Sequence, residues 1–192
     1  MHHVKVCGLK INPMTKKEAL EVLMKELSKN NDLMFQLKIM AYYDFKKDIA
    51  IGERGEDIIR EHLEEYGFVF ISDNKDNEYD LKMSFNDKEY KFEIKTDVYC
   101  RPDKDTGNIF VEIEARNKES GIKVSKSNYF INYFPYLNEI WTIKTNKLKE
   151  LINDNDFTLK ENSGDNCSVK GYVIPRYKFK KHFKVDIIKK KW

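Results

Sequence analysis

Asp80, Glu93 and Lys95 are the residues whose types and spacing could do chemistry together. Two carboxylates supply hard oxygens of the kind Mg²⁺ takes, since that ion binds one or two carboxylates and fills its other positions with water and phosphate oxygens. An ion so held polarises a phosphate ester and acidifies a water. An ammonium alongside can orient that water or neutralise charge developing on the phosphate. The trio suits phosphodiester hydrolysis, provided the three side chains meet.

Whether they meet depends on the two segments that carry them. Glu78 to Phe85 and Lys88 to Thr96 alternate around Asn86-Asp87, a pair suited to a tight hairpin turn. That turn sets Leu81 opposite Phe92 and Met83 opposite Tyr90, an apolar face for a core. The other face sets Asp80 opposite Glu93, with Lys95 two residues along the same strand. A four-residue loop keeps this pairing; an odd-length loop breaks it. Opposed carboxylates destabilise a hairpin, and a shared cation removes that objection. With 35% charged residues, however, such a trio arises easily by chance. Taken alone, a solvated hairpin face is the plainer reading.

Flanking residues add a resemblance. Tyr79-Asp80-Leu81 followed by Glu93-Ile94-Lys95 resembles the motif of the PD-(D/E)XK nuclease superfamily, which includes restriction enzymes, archaeal-type junction resolvases and phage exonucleases. Upstream, Gly55-Glu56 opens a helix that ends at Gly67-Phe68, similar to resolvase-like members with a Glu at the start of that helix. Downstream, Gly107 to Glu112 followed by Ser120-Gly121-Ile122 and Ser125 resembles a strand and turn of phage and bacterial members. Tyr79 stands where the family often has proline. The resemblance covers roughly Gly52 to Lys144. It implies a three-layer αβα sandwich around a central mixed β-sheet (restriction-endonuclease-like), a Mg²⁺ or Mn²⁺ site, and DNA cleavage leaving a 5′-phosphate. It also implies that Glu56, with Asp80 and Glu93, reaches the metal, and that Lys95 assists water attack. Endonucleolytic cutting is expected. The alternative is a nucleic-acid-binding module that kept the fold and lost turnover.

Other residues compete for roles. Glu53 lies one turn before Glu56, where an acid simply favours the helix dipole. Glu112 sits within the resembling stretch and could position water or substrate, against a plain polar strand face. Ser125, Lys123 and Lys126 fall at an expected helix start, where N–H groups and positive charge suit phosphate; an ordinary N-cap explains Ser125 equally well. Asp73, Asp76 and Asp97 read as loop and strand-end acids. Arg101 and Lys104 could touch a nucleic-acid backbone or simply face water. From Arg176 to Trp192, lysines interleave with Tyr177, Phe179, Phe183 and Trp192. That pattern suits phosphates and bases, and equally an edge strand guarded by lysines. The four histidines lack metal-ligand spacing, and there is no phosphate-binding glycine loop.

The elements that must position these residues fit the 192-residue length. Residues 1–50 read as an N-terminal helical section: a helix from Thr15 to Lys29 with a Thr15/Glu18 capping box, and a second starting at Asp32. Residues 51–192 read as the nuclease-like domain. They comprise a helix from Glu53 to Tyr66, strands at Phe68 to Ser72, Asn108 to Ala115 and Glu139 to Lys144, and helices at Ser125 to Phe134 and Lys147 to Ile152. Gly171 to Ile188 reads as mostly extended. That order suggests a mixed sheet flanked by helices. No apolar run could span a bilayer and no signal peptide is visible, so a cytoplasmic protein is expected. Cys7, Cys100 and Cys167 are scattered, against a disulfide framework or zinc site. DNA is the expected partner, as a homodimer if both strands are cut symmetrically, and a Lys-, Asn- and Ile-rich composition fits an AT-rich phage or host.

Overall fold

A computed structural model describes residues 31–73, 78–161 and 169–189 with Trp192, with side chains from Lys46 onward. The expected Thr15 to Lys29 helix and Asp76 lie outside those residues. The chain forms two compact units, Met1–Lys47 and Asp48–Trp192. The candidate site belongs to the second.

The first described element is one helix, α1 (Asn31–Glu65), running through Gly52 where two were expected, one starting at Asp32 and one from Glu53 to Tyr66. A helical glycine costs about 1 kcal/mol relative to alanine, which weakens a helix without ending it. The stop comes at Gly67, whose positive φ of 87° lets the Gly67 and Phe68 N–H groups cap the carbonyls of Glu64 and Leu63.

Among the described residues, ten strands follow or flank the remaining elements. They are β1 (Val69–Asp73), β2 (Leu81–Phe85), β3 (Lys88–Thr96), β4 (Asn108–Ala115), β5 (Lys118–Glu119), β6 (Tyr129–Phe134), β7 (Glu139–Lys144), β8 (Thr158–Glu161), β9 (Val169–Pro175) and β10 (Lys184–Ile187), with a second helix, α2 (Thr145–Asn153), after β7. The central sheet has the order β1-β2-β3-β6-β7-β10 and is mixed, because β3 and β6 run parallel while their neighbours pair antiparallel. A second, antiparallel sheet has the order β5-β4-β9-β8.

Each face of the central sheet buries its own core. On one face Ile58 and Ile59 of α1 pack with Leu81, Met83, Phe92, Ile94, Ile131 and Tyr133. On the other, Phe130, Phe134, Trp141 and Ile143 meet Ile109, Val111 and Ile174 of the second sheet and Leu148 and Leu151 of α2. The α/β class and mixed central sheet are as expected. The layer opposite α1, however, is shared between a short helix and a sheet.

One expected element is overturned. Ser125 to Phe134 is not a helix; Tyr129–Phe134 is the central strand β6, preceded by a single 3₁₀ turn at Gly121–Lys123. Both faces of β6 are covered, so its sequence is apolar at every position but Asn132, without the alternation that marks a half-buried strand.

Candidate active site

The β2–β3 hairpin has the expected register. Asn86 and Asp87 both take positive φ, 49° and 59°, as a two-residue turn matched to strand twist requires. Leu81 lies opposite Phe92 and Met83 opposite Tyr90. The pairing extends one residue beyond β2, where the Asp80 N–H donates to the Phe92 carbonyl at 2.8 Å. The Asp80 carboxylate then accepts from the Ile94 N–H at 2.5 Å, which pins it across the strand from Glu93. Lys95 Nζ lies 2.7 Å from Glu93 Oε1. Glu93 is only 5% exposed, whereas the Lys95 side chain keeps 44% of its surface in solvent. The three residues therefore converge, with Lys95 less buried along its side chain than Glu93.

Glu56 arrives from the helix. Gly55 makes this possible: a Cβ there would fall 1.9 Å from Thr96 Oγ1, so at this point α1 meets the Thr96 side chain with bare backbone. The next residue, Glu56, comes within electrostatic reach of both Asp80 and Lys95.

Too much negative charge gathers here for one lysine to balance. Burial, and then the Asp80 carboxylate, push Glu56 up to about 7, against the pull of Lys95 and with smaller pushes from Asp73 and Glu53. Burial likewise raises Asp80; Lys95 and the Ile94 N–H oppose this, and Glu93 adds to it. Burial alone would lower Lys95, but Glu93 and Asp80, with a smaller contribution from Glu112, hold it above its ordinary value. Lys95 thus stays protonated at any physiological pH.

Glu112 belongs to the electrostatic neighbourhood of Lys95 by way of the second sheet. The β4–β9 register slips between Glu112 and Glu114, a bulge of the kind that re-aims a side chain. Gly121, at φ 53°, packs onto the Glu112 backbone so closely that a Cβ would lie 2.3 Å from its carbonyl oxygen. The Ser120-Gly121-Ile122 turn therefore serves to seat Glu112.

The remaining expectations fare differently. Without a helix at 125, the anion site expected there is lost. Ser125 is buried, with its hydroxyl 2.9 Å from that of Ser127, and Lys126 pairs with Glu78; together they fasten the segment that leads into Asp80. Lys123 pairs with Glu119 at 3.1 Å. Asp97 is a turn acid, accepting from the N–H groups of Tyr99 and Cys100. Arg101 lies over the Tyr136 ring. Arg176, expected among the phosphate-attracting bases, has no exposed surface at all. Phe183 is buried too, and Trp192 packs against Arg54 and Tyr133, while Lys178, Lys180, Lys181 and Lys184 do face solvent.

No protein family, curated protein or solved structure matches the chain. Among the described residues, no three His, Cys, Asp or Glu side chains gather closely enough to enclose an ion unaided. The carboxylates that meet at this end of the hairpin are Asp80 and Glu93, with Glu56 in electrostatic reach of Asp80. Among the described residues, no helix is long and apolar enough to cross a membrane.

Proposed function

We propose that the chain is a Mg²⁺-dependent deoxyribonuclease of the PD-(D/E)XK kind, an endonuclease built on a restriction-endonuclease-like fold. One observation carries the reading: Asp80, Glu93 and Lys95 converge at the end of a hairpin while Glu56 approaches from α1. Asp80 and Glu93 would hold the ion, Mg²⁺ or Mn²⁺; burial, and after it the neighbouring carboxylates, raise Asp80 and Glu56, and a cation between them would favour their ionised forms. When bound, the ion supplies a charge that polarises the phosphate and eases deprotonation of a water.

The chain's own groups supply the rest. Lys95 presents ammonium donors toward the phosphate oxygens, where negative charge builds as water attacks phosphorus. Glu56, poised near neutrality, can hold the proton that the water gives up. The P–O3′ bond breaks, the leaving oxygen takes a proton, and a 5′-phosphate remains. Exposed Lys178, Lys180 and Lys181 offer positive charge to a nucleic-acid backbone.

The test is a panel of labelled duplex, branched and single-stranded DNA, with RNA, in Mg²⁺ or Mn²⁺ against EDTA. Metal-dependent cutting is expected, lost on Asp80→Ala and reduced about 10²–10³-fold on Lys95→Ala, the scale for removing a donor to developing charge. Tight binding without cutting under every metal would replace this reading with a nucleic-acid-binding module on the same fold.

A further inference from the structure

β6 carries a polar residue that the chemistry above does not use. Asn132 is 4% exposed in a strand whose other buried members are Phe130, Ile131, Tyr133 and Phe134. It stands opposite Lys95 in the parallel β3–β6 pairing and opposite Trp141 in the β6–β7 pairing. Paired residues project to one face from strands about 4.8 Å apart. Asn132 thus shares a face with Glu93 and Lys95, at the inner wall of the candidate site. Its Nδ2 is sealed from solvent and meets no acceptor among the described residues.

A buried amide donor without an acceptor is costly, and a leucine would fill a core strand more cheaply. Lys95 cannot answer it, because an ammonium only donates. Glu93 has acceptor capacity beyond the oxygen that faces Lys95. A group that accepts from Asn132 and donates to Glu93 satisfies both, and water does this. Internal waters typically join about three otherwise unsatisfied polar groups.

We propose that Asn132 is a positioning residue, holding one internal water that braces the Glu93–Lys95 pair from beneath. The water fixes the free side of the Glu93 carboxylate while Lys95 fixes the other. Its contribution to turnover rests on the nuclease reading; the water itself does not.

Three proteins decide the matter: wild type, Asn132→Leu (similar size, no donor) and Asn132→Ser (a shorter donor). A high-resolution crystal structure of the wild type should show an ordered water about 2.9 Å from Nδ2, also bonded to Glu93. Asn132→Leu should lower kcat about 10–100-fold, the scale for groups supporting a metal ligand. KM should stay within about twofold, since such a support shapes reaction more than substrate binding, and Asn132→Ser should recover most of the loss. A purely structural role would instead lower the melting temperature of both variants and leave kcat of the folded protein unchanged. That result, or an Nδ2 bonded directly to protein, overturns the proposal. Should Asn132→Leu fail to fold, the crystal structure and Asn132→Ser decide. A wild type that cuts nothing sinks the nuclease reading, and the crystal structure then decides on the water alone.

Discussion

Arg176 and Lys95 are both cations held against acids, one just past β9 and the other on β3. Around Arg176 nearly every group is answered: among the described residues its Nε makes no hydrogen bond but lies 3.9 Å from Glu139 Oε2. Its guanidinium bonds Asp105 at 2.6 Å, the Asn108 carbonyl at 3.3 Å and the Tyr177 hydroxyl at 3.1 Å, and lies 4.5 Å from the Phe134 ring centre. Burial would raise Asp105, but Arg176, the Gly107 N–H and Tyr177 outweigh it, and the carboxyl sits below its ordinary value. Around Lys95 the reverse holds: burial first, and neighbouring carboxylates after it, keep Asp80 and Glu56 above theirs against the pull of Lys95. The first arrangement is closed upon itself and supports structure. The second sets Glu56, Asp80 and Glu93 beside the single ammonium of Lys95, an imbalance that the proposed metal would offset.

Removing Arg176 should cost the most stability. Arg176→Met leaves Asp105, an exposed residue with a 21% accessible side chain, without its partner, and chemical denaturation should show a loss of about 3 kcal/mol, the low end for breaking a buried pair because only the guanidinium is fully buried. Cleavage per folded molecule should be unchanged; a specific loss of kcat would blur the contrast between the two clusters. Gly55→Ala tests the other cluster through packing. The new methyl collides with Thr96, so about 1–3 kcal/mol of stability should go, together with activity as Glu56 is displaced. Thr96→Ala on that background should restore part of both, and failure to do so would detach Glu56 from the helix contact.

A smaller effect is expected from pH. Glu56 is raised from 4.5 to about 7 in the folded chain, so the folded state holds its proton more tightly than the unfolded state does. That contribution to stability is full below about pH 4.5 and is lost as pH rises through about 7. Asp80 adds to the same trend. Metal-free protein should therefore weaken over this window in urea melts, and Glu56→Gln should flatten the slope. An unchanged slope would mean that burial and its neighbours do not raise Glu56 in the folded chain.

The hairpin was legible because two local signals agree. The turn residues and the strict alternation of Leu81, Met83, Tyr90 and Phe92 admit one register, and that register alone brings Asp80 to Glu93. β6 was illegible for the opposite reason: buried on both faces, it has no alternation, and Ser125 imitates a helix cap. β5 and β8 are too short to announce themselves, so the second sheet went unforeseen. Arg176 stands in a run of bases that reads as surface, and its burial follows from Asp105, Phe134 and Trp141, which the fold alone brings together. Asn132 left no signal, since an asparagine within apolar residues acquires meaning only from its neighbour on β3.

Titration calorimetry of Mg²⁺ into wild type, Asp80→Asn and Glu93→Gln puts the unbalanced charge to its most direct trial. One binding event is predicted for the wild type and none, or a far weaker one, for either variant. Equal heats in all three proteins, or no uptake of Mg²⁺ or Mn²⁺ by the wild type, would contradict it.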